Sequence, residues 1–417
     1  MESVKQLERA AKVPLSKSMS FILLWFTTVV SSLSLSMFMF IQSWYVVESL
    51  GMEASLGIVL VCLTTMRMVS MVFGGVVADR GRQTNIMSIS DLSLAFLVIS
   101  LAGLFAFLSE VPIWVLAVNA TFFGACGGLF EPSRDALLPK VVKVDQLTRA
   151  NSLLQGAIQI ALFTGPLIAG ILINVFSYSI VLVLIGLFLC LSGISVLFIK
   201  VSNENSNKQE KVNQQSFKVQ LMDGFTYTWN SSLLRALFII TIIVNFFISG
   251  PLMMGLPIFV EGVLNGSSVD FSFVQGGFTF GMVLGSVLIG IINIQRRRGA
   301  YALYLIALQG VGMFIFSQVN SIMVAVGIII FIGMLNPGVN IPLISLVQSY
   351  SSQAKVGRVM SLIRTGSLGL IPLSYAVTSI FLGMGIKIQT LMAWSSFPLI
   401  LSVVLLYFLY PILRAAD

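Results

Sequence analysis

Residues 55–83 read SLGIVLVCLTTMRMVSMVFGGVVADRGRQ, an apolar run that ends in a short turn carrying Asp79, Arg80 and Arg82. An apolar run of about 20 residues matches the roughly 30 Å hydrocarbon core of a bilayer. The pattern recurs along the chain. Segments 19–47, 55–78, 84–108, 111–130, 151–174 and 176–199 form a first set of six, and 233–259, 271–293, 300–318, 322–348, 358–382 and 388–411 form a second. The turns between them alternate in charge. With the N-terminus in the cytoplasm, the inner loops hold Arg80 and Arg82; Arg134, Lys140, Lys143 and Arg149; Lys200, Lys208, Lys211 and Lys218; Arg296, Arg297 and Arg298; and Lys355 and Arg358. The outer loops hold Glu48, Glu53, Glu110, Glu261 and Asp270, with Lys387 the lone basic residue. Cytoplasmic loops concentrate Lys and Arg. The spacing therefore predicts an all-α membrane protein with twelve transmembrane helices and both termini cytoplasmic.

Composition narrows the function classes. The chain is 57% hydrophobic and 10% charged, with a mean hydropathy of +0.98. Its net charge of +8 lies at helix ends and forms no basic face, which argues against nucleic acid and for anionic lipid headgroups. Cys62, Cys126 and Cys190 each fall inside an apolar segment and read as packing residues. Histidine is absent, which removes the commonest proton shuttle and metal ligand. No metal site and no cofactor is expected. Nor is a phosphate loop, a nucleophile elbow or a His-Glu-x-x-His pair present, so neither ATP drive nor enzyme activity is expected. The basic segment Met1–Lys17 leads into a long apolar run and reads as the approach to a retained first helix.

The two sets of six imply a duplicated architecture. Residues 1–199 form an N-terminal six-helix bundle and 233–417 a C-terminal one, joined by a cytoplasmic linker at 200–232. The linker opens with the polar stretch KVSNENSNKQEKVNQQS; Phe217, Leu221 and Phe225 then recur at the spacing of an amphipathic helix on the inner membrane face. Pro132, followed by Arg149, echoes Pro342, followed by Arg358. Related halves place a substrate site between them near mid-membrane.

The turn Gly74-Gly75-Val-Val-Ala78-Asp79-Arg80-Gly81-Arg82 resembles the signature loop of the major facilitator superfamily, one residue shorter than the usual form. The resemblance implies a gating role for Gly75, Asp79, Arg80 and Arg82, in which Asp79 faces a helix N-terminus. Phe163-Thr164-Gly165-Pro166-Leu-Ile-Ala169-Gly170 is similar to that family's antiporter motif, which goes with export. Glu131-Pro-Ser-Arg134-Asp-Ala-Leu-Leu-Pro139, with Ala150-Asn-Ser-Leu, resembles the branch containing the enterobactin exporter and related siderophore and macrolide efflux proteins. The usual intramembrane Arg of the fourth helix is missing, and Asn119 lies in that region.

Two charges read as buried in the middle of apolar spans. Arg67 and Asp91 flank the first turn at equal distance from Asp79, so they sit at similar depth. Charges at that depth face the bundle interior or pair. One reading makes them a proton-coupling pair; others make them a static salt bridge, or make Arg67 a partner for an anionic substrate. Gln42, Asn119, Asn245, Asn336 and Asn340 are candidate cavity-lining amides, with Arg364 a further substrate-binding candidate. Gly250-Pro251 and Pro257 are expected to interrupt the seventh span, and Asn336-Pro-Gly-Val-Asn340-Ile-Pro342 the tenth.

The chain is thus expected to be a monomeric secondary exporter in a bacterial cytoplasmic membrane, driven by proton antiport. Siderophore export, with a citrate-type polycarboxylate such as a staphyloferrin as cargo, ranks ahead of macrolide or multidrug efflux. A lipid-modifying enzyme would need acids, bases or metal ligands converging at one membrane face. A sensor would need a folded relay domain.

Overall fold

The computed structural model describes residue 15 and residues 18–200, 217–292, 294, 296–352 and 355–416; the side chains of residues 75, 76, 79, 80, 144, 217–221 and 415 are outside that description. The basic N-terminal segment and the polar stretch 201–216 lie outside the described residues. All described secondary structure is helical, and twelve helices are long and apolar enough to cross a membrane. They are α1 (Met19–Ser49), α2 (Glu53–Arg80), α3 (Gln83–Phe107), α4 (Ile113–Val141), α5 (Leu147–Val175) and α6 (Tyr178–Leu197), then α7 (Ser232–Gly262), α8 (Ser268–Ile292), α9 (Arg298–Ser317), α10 (Ile322–Tyr350), α11 (Val356–Gly383) and α12 (Ile388–Leu409). Large apolar side chains ring the outside, with Phe96 71%, Phe107 90% and Met323 86% exposed. Water would not tolerate such a belt, whereas lipid solvates it. The chain is a multi-pass membrane protein.

Local chemistry explains where the helices start and bend. Ser18, Ser177 and Ser231 cap α1, α6 and α7, accepting from the N–H groups of Phe21, Ile180 and Leu234. Helix α7 widens into a π-helical stretch at Ser249–Met254, where Gly250 and Pro251 sit, so the expected interruption is present there. Helix α10 corrects the second expectation. It runs unbroken from Ile322 to Tyr350 with Pro337 and Pro342 inside it. The Asn340 amide donates to the Asn336 carbonyl at 3.1 Å and to the Asn336 side-chain oxygen at 2.8 Å, adding side-chain support where the prolines remove backbone donors. Helix α4 also departs from expectation. It breaks at Gly128–Leu129 and resumes as Phe130–Val141, so Pro132 stands in the first turn of a new helical segment and does not end the span.

Helix pairing repeats between the halves. In the first, α2 packs on α4, α1 on α5 and α6, and α3 on α6; in the second, α8 packs on α10, α7 on α11 and α12, and α9 on α12. The halves meet through α2 with α11 and α5 with α8, two contacts related by the same exchange. Glycines set the tightest approaches. A Cβ on Gly124 or Gly128 of α4 would strike the α2 backbone between Leu63 and Met71, and one on Gly281 or Gly333 would strike the α10 or α8 backbone.

Outside the spans, helix Phe217–Asn230 lies against the start of α11. Asp223 pairs with Arg358 at 2.7 Å, and the Ser352 N–H donates to the Tyr227 hydroxyl at 3.3 Å. That bond holds the Tyr227 phenol below its ordinary pKa. Met222, Phe225 and Trp229 are exposed on the opposite side. Phe225 thus fits the expected amphipathic face, while the Phe217 and Leu221 side chains are outside the description. Both members of the ion pair are substantially solvated, at 30% and 47% exposure. Asp223→Asn is therefore expected to cost under about 1 kcal/mol, read as a small change in thermal melting of the purified protein.

Candidate substrate cavity

The twelve spans divide the loops between two ends. One end carries Arg82, Lys143, Arg296, Arg297 and Lys355; the other carries Glu48, Glu110 and the turns after α7 and α9. At the acidic end the halves close on each other. Gly57 of α2 lies under Ser379 and the Tyr375 carbonyl of α11, and the Ser379 hydroxyl donates to the Ala54 carbonyl. On the other seam, Gly170 of α5 lies against Ser272 and Ser268 of α8, and the Ser268 hydroxyl donates to the Gly170 carbonyl at 3.1 Å. Phe271 of α8 stacks on Phe40 at 4.6 Å and on Trp44 at 5.5 Å between ring centres. Small residues bring the backbones together and the rings seal the gap.

Toward the basic end the halves diverge around a cavity of about 680 Å³. Helices α2, α4, α7, α10 and α11 line it. Its walls are mainly apolar, with Met68, Met71, Leu343, Ile344, Met360 and Ile371 among them, and its hydroxyls come from Thr64, Thr241, Ser361 and Ser367. Three charges face it: Arg67, Glu131 and Arg364. The Arg67 guanidinium donates to Glu131 at 2.5 Å, and the two side chains are 28% and 32% exposed. The glycine contacts explain the pair. Gly124 and Gly128 let α4 ride on the backbone around Arg67, so the next turn of α4 presents Glu131 to that side chain. Arg364 is exposed on the α11 wall, with no ion-pair partner among the described residues.

The predicted site residues separate into two groups. Arg67, Asn340 and Arg364 line the cavity. Gln42 is buried and donates to the Leu116 carbonyl at 3.4 Å; Asn119 donates to the Leu97 carbonyl at 3.1 Å; Asn245 bonds within its own helix to the Thr241 carbonyl at 2.9 Å. Gln42 and Asn119 tie helices, Asn245 serves its own helix, and Asn336 serves Asn340. Asp91 is not the partner of Arg67. It is fully buried among α1, α3 and α6, where the Ser31 hydroxyl donates to one oxygen at 2.9 Å and Ser192 lies 2.5 Å from the other. Equal depth did not imply the same face, and the expected pairing is replaced by Arg67–Glu131. Gly165 packs on Ser36 of α1, Pro166 is buried, and Gly170 belongs to the closed seam. Arg82 is exposed at the basic end, and the side chains of Gly75, Asp79 and Arg80 are outside the description. Glu131 is the cavity charge that sequence reasoning missed. Ending the fourth span at residue 130 left this carboxylate in a loop; extending the helix past Pro132 brings it into the span.

Two pseudo-symmetric six-helix halves, in contact at one end of a shared cavity, have the architecture of a membrane transporter. The chain belongs to the Major Facilitator Superfamily, which it matches over residues 24–374. Macrolide efflux protein A of Enterococcus faecalis is 26% identical over 71% of this chain and 92% of that protein. Macrolide efflux protein A of Streptococcus pyogenes is 25% identical over 71% of this chain and 73% of that one. The staphyloferrin A transporter of Staphylococcus aureus is 28% identical over a shorter stretch, 32% of this chain and 34% of that protein. In fold, the chain is similar to the solved nucleoside transporter NupG, with a TM-score of 0.75 at 13% identity, covering 94% of this chain and 99% of that one.

Proposed function

We propose that the protein exports a bulky amphipathic small molecule of the macrolide class from the cytoplasm in exchange for protons. The observation that carries this reading is the apolar cavity enclosing one solvated ion pair, open toward the basic end and closed at the other. Basic loops belong inside, so this state faces the cytoplasm, with both termini there and the halves 1–199 and 233–417 rocking about the cavity. A macrolide is a large lactone bearing an amino sugar, and Met-rich walls adapt to such a shape. The export direction is supported by the antiporter-like Gly165-Pro166 motif and by the macrolide efflux relatives. The expected siderophore becomes the second reading, favoured by one observation: Arg364 lacks an ion-pair partner among the described residues and would suit a carboxylate.

Deletion of the gene tests both readings. Increased macrolide susceptibility with normal siderophore in the medium under iron limitation is the expected result. Lost siderophore secretion with unchanged susceptibility would reverse the order.

A further inference from the structure

Helix α7 leaves a gap in the C-terminal half that its own side chains do not fill. Its π-helical stretch Ser249–Met254 brings Gly250 onto Ser374 and Thr378 of α11. In the π register the N–H of residue 251 would serve the Phe246 carbonyl, and Pro251 has none. Ser374 replaces it. The Ser374 hydroxyl donates to the Phe246 carbonyl and accepts from the Gly250 N–H at 2.7 Å. The backbone is thus satisfied, but the volume is not. Beside these bonds lies a crevice of about 180 Å³ between α7, α11 and α12. Ser374, Thr378, Leu391 and Ser395 are its buried lining, and its rim carries Phe381 at 37% and Trp394 at 53% exposure. Among the described residues no charged side chain lines it.

Position and size select the occupant. Leu391 is in the first turn of α12 and Pro398 two turns further, so the crevice spans about 5–15 Å below the acidic end at 1.5 Å per residue. That depth is the chain region of one leaflet of a roughly 30 Å core. The rim continues into the lipid-solvated belt, because Trp394, Phe397 and Leu401 follow one another along the exposed face of α12. An apolar void of about 150 Å³ holds a benzene-sized group, whereas drug-sized ligands need about 300 Å³ or more. A run of chain carbons therefore fits, and a bulky cargo does not. The larger groove between α3 and α4, about 400 Å³ around Phe96, has no buried lining residue and is open belt surface.

We propose that the crevice binds one acyl chain of a phospholipid from the leaflet at the acidic end, the outer leaflet in the orientation proposed above. The chain completes the packing around the π-helical stretch of α7. Lipid tails are as apolar as the walls, so no hydrophobic gain drives insertion; the gain is dispersion contact with walls that otherwise face a void. The site shares no lining residue with the substrate cavity, so it stands whichever cargo is carried.

The test uses the full-length protein in nanodiscs that contain a phosphatidylglycerol with a diazirine near the end of one chain. After photolysis, insertion is mapped by peptide mass spectrometry. Insertion is expected at Leu391 and Ser395 at least about fivefold above that at Leu399, a comparably buried residue of α12 outside the crevice. Ser395→Leu and Val377→Phe fill the crevice from different walls. Each is expected to cut the Leu391 signal by about fivefold and to leave that of Phe96 unchanged. Insertion confined to Phe381 and Trp394, at the level of Phe96, would mean belt lipid only and overturn the proposal. So would a Leu391 signal that survives both substitutions, or a crevice shielded by a second copy of the chain and never reached by chain carbons. The map of the natural protein decides the matter even where a variant fails to fold.

Discussion

Gly57→Leu is expected to abolish export while the protein still reaches the membrane. A Cβ at Gly57 already lies 2.8 Å from the Ser379 hydroxyl and 3.0 Å from the Tyr375 carbonyl, so a leucine has no room while α2 and α11 touch. Overpacking of this kind costs about 1–3 kcal/mol. The cost falls on the state closed at the acidic end, because separation of the halves relieves it. At the upper figure that state loses about a hundredfold in population, and the cytoplasm-facing cavity is rarely formed. Export in inside-out vesicles should drop at least about tenfold. The second-site change Ser379→Gly removes the nearest obstruction, so Gly57→Ala with Ser379→Gly should recover part of the export that Gly57→Ala alone loses. Full export by Gly57→Leu would show that this seam does not govern the cycle.

Asp91 separates two variants just as sharply. Asp91→Lys is expected to leave no folded protein in the membrane, because an ammonium would replace a fully buried group that two serines serve. A buried charge without a partner costs several kcal/mol, a large share of a domain's net stability. Asp91→Asn should be nearly neutral. Its oxygen accepts from Ser31, its amide donates to Ser192, and the Ser192 hydroxyl retains the Thr27 carbonyl at 3.2 Å. Melting temperature, expression and the pH profile of transport should all stay close to those of the natural protein. A lost pH dependence in Asp91→Asn would instead support a coupling role for Asp91.

The sequence carried the architecture further than the site. Span number and alternation were legible because lipid imposes apolar length and basic loops on every crossing, and no tertiary contact is needed to read either. The edges of α4 were not legible, since proline marks a helix start as well as an end, and that one ambiguity hid Glu131 in a loop. The unbroken α10 was missed for a related reason: Asn340 bonds back to Asn336 and supports a helix that two prolines seemed to break. Amides proved the weakest guides. Gln42, Asn119 and Asn245 carry the same side-chain chemistry as Asn340, and only packing decides which faces a cavity, which holds a neighbouring helix and which bonds back to its own. The Arg67–Asp91 expectation used depth alone. Rotation about the helix axis decides the partner, and it was set by Gly124 and Gly128, whose close approach no charge pattern announces.

Sidedness of the cavity is the most direct test of the account. In a variant with Cys62, Cys126 and Cys190 replaced, Ser361→Cys puts one thiol on the cavity wall, where residue 361 is exposed. A membrane-impermeant maleimide is applied to right-side-out and to inside-out vesicles without substrate. The account predicts rapid labelling in inside-out vesicles and little in right-side-out ones. Labelling from the outer face alone, or equally from both, would contradict a cavity that opens to the cytoplasm while the opposite end is closed.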